Sequence, residues 1–223
     1  MNCLKKRSDT MMFRRTFFAA VAGLLLSLSY VPSVHAVEQD PKAFVIGLAN
    51  NAMEIMTAKG LSDNDRASKF RALFTGDVDI HEIAKFVLGR YWRAATPEQQ
   101  QEFLKLFEDV VVLTWSPRFK DYGGDLRHTV IAVSQDGERG IMVDSKVDRD
   151  KQQPISLQWR LKQGDNGLRV VDLVVEGSSM AITYRSEYAS VIQSNGGKVE
   201  GLLSALRTKV VELRAGSVAT KTN

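Results

Sequence analysis

The residues best placed to do chemistry are two carboxylates on one short stretch, Asp172 and Glu176, together with the tyrosines at positions 91, 122, 184 and 188. Two carboxylates in different surroundings can divide acid and base roles, and a phenol beside them can hold a developing charge, the arrangement that small sheet-cone isomerases use. The same residues have a plainer reading. Asp172 alternates with Val171 and Leu173, which puts it on the wet face of a strand, and Glu176-Gly177 shapes the strand exit. His81 falls in a helical stretch and His128 at a strand start, and neither has metal-ligand spacing around it. The chain has no Gly-rich phosphate loop and no G-x-S-x-G elbow, and Gly177-Ser178-Ser179 follows a strand with no triad partner nearby. Arg90, Arg93 and Arg185 suit either headgroup contacts or ordinary solvated and paired positions. The plainer reading is preferred throughout, so no catalytic set, metal or cofactor is expected.

The N-terminal part of the chain reads as a leader. Residues 1–36 have a basic start (Lys5, Lys6, Arg7, Arg14, Arg15), an apolar run over about 17–31, and small residues at Val34 and Ala36. That is the pattern of a cleavable secretory signal peptide, and the apolar run is too short for a spanning helix. Arg14-Arg15 also resembles a twin-arginine export signal. Five of the 30 Lys and Arg residues and one of the 26 acidic residues fall in this leader, leaving 25 of each. The overall charge of +4 therefore belongs to the leader, and a neutral mature chain argues against nucleic acid as a partner. Cys3, the single cysteine, lies there too, so disulfides and thiolate chemistry are not expected beyond it.

The elements that must position any site follow from periodicity. Residues 40–59 and 62–76 read as helices closed by Gly60 and Gly76, with Ser62 opening the second. Residues 77–115 read as a helical hairpin, its apolar stripe running through Ile80, Ile83, Ala84, Val87, Leu88 and Tyr91, then Phe103, Leu104, Phe107, Val110, Val111 and Trp115. Thr96-Pro97-Glu98-Gln99 between its arms is a capping box with proline at the first helical position. The period then changes to two over four strands, 128–134, 140–149, 155–161 and 168–176, joined by Gly- and Asp-rich turns. Helical spacing returns over about 178–195 and 198–213. The expected fold class is α+β: N-terminal helices, a four-stranded antiparallel meander, and C-terminal helices packed over one sheet face, a sheet-cone-like shape able to enclose an apolar pocket, although the pocket itself is not visible in the sequence. Residues 37–214 are expected to form one domain, with 215–223 a disordered tail.

Two stretches carry a resemblance. FVLGRYWRAATPEQ at residues 86–99, continuing to Phe103 and Phe107, resembles the MlaC (toluene-tolerance) family of periplasmic phospholipid-binding proteins. So does VDLVVEGSSM at 171–180 followed by TYRSEY at 183–188. The family usually has Trp where this chain has Leu168, and an apolar residue where this chain has Ser178. The resemblance implies a periplasmic carrier that holds phospholipid acyl chains between helices and sheet. It would pass lipid between an outer-membrane lipoprotein complex and an inner-membrane ABC transporter, maintaining outer-membrane lipid asymmetry, with phospholipid as cargo and no cofactor. A hopanoid-associated carrier of the same family, a small sheet-cone enzyme using Asp172 or Glu176, and a structural adaptor remain as alternatives. Strand parity then assigns Ile155, Leu157, Trp159, Leu161, Val171, Leu173 and Val175 to the pocket. Phe86, Val87, Tyr91, Phe107 and Val111 join them from the helical hairpin as expected lipid-binding residues.

Overall fold

The computed structural model describes residues 39–117, 126–150 and 152–219. The expected leader and the connector carrying Tyr122 lie outside the described residues. Helix α1 (Pro41–Thr57) starts where Asp40 accepts a hydrogen bond from the Lys42 amide at 3.0 Å. Helix α2 (Asp63–Asp77) starts at Ser62, whose hydroxyl accepts from the Asp65 amide, and it carries Gly76 within its last turn rather than ending there. The buried guanidinium of Arg66 closes the other end of α1, donating to the carbonyls of Ile55, Met56 (2.8 Å) and Ala58 (3.0 Å). Those carbonyls have no partner inside the helix, so one side chain of α2 fixes the C-terminal end of α1.

The expected hairpin is built in three pieces: α3 (Ile80–Leu88), a single turn α4 (Arg90–Ala94) and α5 (Pro97–Trp115). The extra break is Gly89, with φ 54 and ψ −120, a backbone conformation that a Cβ would oppose. The capping box at Thr96 forms as expected, with the Gln99 amide on the Thr96 hydroxyl (3.3 Å) and the Gln99 side chain on the Thr96 amide (3.2 Å).

The described strands form one antiparallel sheet in chain order: β1 (Arg127–Gln135), β2 (Ile141–Arg149), β3 (Gln152–Gly164), β4 (Gly167–Val175) and β5 (Ser178–Ser179). The fifth strand is additional to the expected four, and at two residues it is too short to show a period. It is turned back on β4 by Glu176 (φ 50) and Gly177 (φ 79), a two-residue loop with both φ values positive. Opposing register pairs define rows across the sheet: His128–Val147–Ile155, then Val130–Ser145–Leu157–Val175, then Val143–Trp159–Leu173, then Ile141–Leu161–Val170. The last step skips Val171, because Arg160 opposes Asp172 while Leu161 opposes Val170. Val171 is therefore the extra residue of a β-bulge, and strict alternation along β4 breaks there.

Two apolar clusters hold these layers. Residues of α3, α5, α6 (Met180–Ser194) and α7 (Val199–Ala219) form the first, around Phe103, Phe107, Tyr188, Ile192, Leu202 and Leu203. The second joins α1 to the far rows of the sheet through Val45, Leu48, Val143, Leu161, Leu168 and Val170. Asp109 on α5, buried, binds Arg71 of α2 (2.6 Å) and Arg214 of α7 (3.0 Å), tying three helices together. Helix α7 runs past Leu213, so residues 215–219 continue it, while 220–223 lie outside the described residues.

Candidate functional site

Between the two clusters lies a cavity of about 340 Å³, lined almost wholly by carbon. Its helical wall shows helix geometry directly. Ala49, Ala52, Met53 and Met56 come from successive turns of α1, Phe70, Leu73 and Phe74 from α2, and Phe107, Val111 and Trp115 from α5. The sheet supplies Val147, Ile155, Leu157, Trp159, Leu173 and Val175, and α6 closes the remaining side with Met180, Ala181 and Tyr184. Phe107 meets the Tyr184 ring edge-on at 5.5 Å, so the wall and the helical core share one side chain.

Of the residues expected at a pocket, Phe107, Val111, Ile155, Leu157, Trp159, Leu173 and Val175 come together on this wall. Five others lie elsewhere. Leu161 opposes Val170 inside the cluster that fills the far end of the sheet, and Val171 sits in the bulge, which brings Val170 to the cavity instead. Val87 is buried among the helices. Phe86 is 41% exposed, with the Arg185 guanidinium 4.9 Å from its ring centroid. The Tyr91 hydroxyl accepts a hydrogen bond from Arg90 at 2.8 Å and takes no part in the wall. The α1 and α2 contributions were not anticipated. Their apolar spacing is plain in the sequence, but a stripe that lines a cavity has the same period as one that packs a core.

The polar groups of the cavity have unequal fates. Asp172 is buried (6% exposed) beneath the start of α6, not on a wet face. Its carboxylate accepts from the Ser179 hydroxyl at 2.6 Å and from the Ala181 amide at 3.1 Å, which fastens the start of α6 to the sheet. Glu176 is exposed on the β4–β5 turn and accepts from the Ser156 amide. These carboxylates are structural anchors on separate elements, and the paired acid/base arrangement does not assemble. The Trp159 indole donates to the Ser145 hydroxyl at 2.9 Å and is satisfied within the protein. Among the described residues, no group of three or more potential ligands gathers to hold a metal.

His128 is different. Both ring nitrogens are shielded from water, and neither has a hydrogen-bond partner among the described residues. The ring lines the cavity and stands edge-on to Trp159 at 6.3 Å. Burial pushes its pKa below the ordinary 6.5, so the neutral imidazole is favoured. An unpaired buried polar group costs about 1–3 kcal/mol.

One row beyond His128, the cavity meets a polar recess. Met53, Leu126 and Arg149 line both, and Glu54, Thr57, Arg127, Asp148 and Asp150 complete the recess. The Arg149 guanidinium donates to the Gln153 carbonyl at 2.6 Å and is held at this junction. An apolar interior opening on a rim that carries both signs of charge is a container for a molecule with a long hydrocarbon part and a polar end.

The fold and cavity thus define an α+β domain built around an apolar hollow between helices and an antiparallel sheet. Residues 47–208 match the family described as MlaC protein, and the chain belongs to that family. It is similar to the toluene tolerance protein ttg2D of Pseudomonas putida, 24% identical over 202 residues that cover 88% of this chain and 90% of that protein. It is also similar in fold to the phospholipid-binding protein from Ralstonia solanacearum, solved in complex with a phospholipid at 1.53 Å. That likeness has a TM-score of 0.70 and 23% identity, covering 79% of this chain and 99% of the other. Among the described residues, no helix is long and apolar enough to cross a membrane.

Proposed function

We propose that this chain is a periplasmic phospholipid carrier, with acyl chains in the apolar cavity and the headgroup at the recess beside Arg149 and Arg127. The carrying observation is the cavity itself, a hollow walled by side chains of α1, α2, α5, α6 and four strands in a member of the MlaC family. The phospholipid bound by the Ralstonia protein of similar fold supports the same reading. Phe107, Val111, Ile155, Leu157, Trp159, Leu173 and Val175 are proposed to touch the acyl chains, together with Met53, Phe70 and Phe74. The physical need is large. Two acyl chains of about thirty methylenes cost on the order of 20 kcal/mol to expose to water, so passage between membranes requires a cover.

In this account the chain moves lipid between an outer-membrane lipoprotein complex and an inner-membrane ABC transporter, and it performs no chemistry on its cargo. With Asp172 and Glu176 committed to structural hydrogen bonds, no acid/base pair stands ready at the cavity among the described residues. With no phosphate loop in the chain, direction must come from the transporter. The test is transfer of a labelled phospholipid between two vesicle populations held apart by a membrane the protein can cross. The expected result is transfer in proportion to protein concentration, with the lipid recovered unhydrolysed. No transfer above the protein-free rate, or recovery of a hydrolysed lipid, contradicts the proposal.

A further inference from the structure

On the outer face of the packed α3–α6 pair, exposed apolar side chains stand among cations. Phe86 of α3 and Ile182 of α6 are 41% and 56% exposed. Arg185 lies between them, its guanidinium 4.9 Å from the Phe86 ring centroid and donating to the Phe86 carbonyl at 3.2 Å. Ile182 is three residues before Arg185 and shares its side of α6. Around this patch the charge has one sign. Residues 83–97 hold Lys85, Arg90 and Arg93, residues 177–186 hold Arg185, and neither stretch holds a carboxylate. None of these four cations has an acidic partner among the described residues. Of the nearest acids, Glu82 is paired with Lys162 at 3.3 Å, and Glu187, two residues from Arg185, faces another side of α6. The exposed Val211 of α7 makes a contrast, because it stands among cations that are paired, Arg207 with Glu200 and Lys209 with Glu212.

We infer that this face seats the protein on an anionic phospholipid bilayer, with Phe86 and Ile182 entering the headgroup layer and Lys85, Arg90, Arg93 and Arg185 on lipid phosphates. Charge complementarity names the occupant: four cations without acidic partners attract a negative surface, and guanidinium groups suit phosphate. Two exposed apolar side chains ringed by cations suit shallow insertion. A protein interface instead has a broad centre depleted in charge. The same two helices turn Ile83, Met180, Ala181 and Tyr184 to the cavity, so a bilayer seated here lies one helix layer away from it.

The experiment is flotation of the protein purified from periplasm with phosphatidylcholine vesicles, with and without phosphatidylglycerol, at low and at raised salt. Wild type is expected to rise with the anionic vesicles only, and to release them as salt rises. Arg90→Glu combined with Arg185→Glu should lower the partition by about twenty-five-fold or more, because each cation lost counts for about five-fold. Phe86→Ser combined with Ile182→Ser should lower it by about tenfold and leave the salt dependence in place. Wild type that ignores anionic vesicles, or floats equally with neutral ones, overturns the inference. So does a folded charge-reversed variant that still floats, or capture of an acidic protein by this face in place of vesicles. None of the substituted residues lines the cavity, so each of these results leaves the carrier reading intact. A second measurement uses single thiols, since Cys3 is the one cysteine of the chain and lies in the expected leader. An environment-sensitive dye on Ile182→Cys should shift to shorter wavelength with anionic vesicles, and the same dye on Val211→Cys should not. No shift at position 182, or equal shifts at both positions, overturns the inference.

Discussion

A histidine whose shielded nitrogens have no partner among the described residues gives a local prediction that can be signed. Burial lowers the folded-state pKa of His128 below 6.5, so between those two values the unfolded chain binds more protons than the folded one. Stability contributed by the neutral ring is present above about pH 6.5 and is lost as pH falls through that window. The lipid-free protein is expected to melt at a lower temperature at pH 5 than at pH 7.5, and His128→Phe should flatten that slope. An unchanged slope in the variant contradicts the burial assigned to the ring. This residue also shows why the site was only partly legible in the sequence. Leu157, Trp159 and Leu173 declare a face by alternation, whereas a lone histidine at a strand start carries no sign of whether its nitrogens find partners.

At the scale of elements, caps and turns were the most readable features, because their chemistry is local. Thr96 and Gln99 form the reciprocal bonds that their types and spacing demand. The misreadings arise where tertiary geometry overrides period. The bulge at Val171 brings Val170 to the cavity, and no residue type in that run of valines marks where the extra residue sits. Val87 and Tyr91 belong to one apolar stripe with Phe86 on its flank, and the break at Gly89 separates its two halves. Element geometry also makes Arg66 testable. It holds the last carbonyls of α1, the turn that brings Met53 and Thr57 to the mouth. Arg66→Ala is expected to cost about 2 kcal/mol in urea unfolding and to raise amide exchange in the last turn of α1. It should also speed lipid release. Unaltered exchange at that helix end contradicts the role given to Arg66.

At the scale of the whole molecule, the account rests on two apolar clusters that stay apart and leave a lined hollow between them. The α+β architecture was readable from the change of period along the chain, and the observed sheet differs only by the short β5. The hollow was not readable, since residues that enclose space and residues that fill it share the same composition and spacing. The measurement that tests the central claim most directly is native mass spectrometry of the protein purified from periplasm, followed by identification of whatever it releases. The account predicts a phospholipid on the wild-type chain at near-stoichiometric occupancy. It also predicts an empty but folded Leu157→Asp variant, because a carboxylate on that wall cannot be covered by hydrocarbon without a large desolvation cost. A wild-type protein that carries no lipid and takes none from vesicles contradicts it.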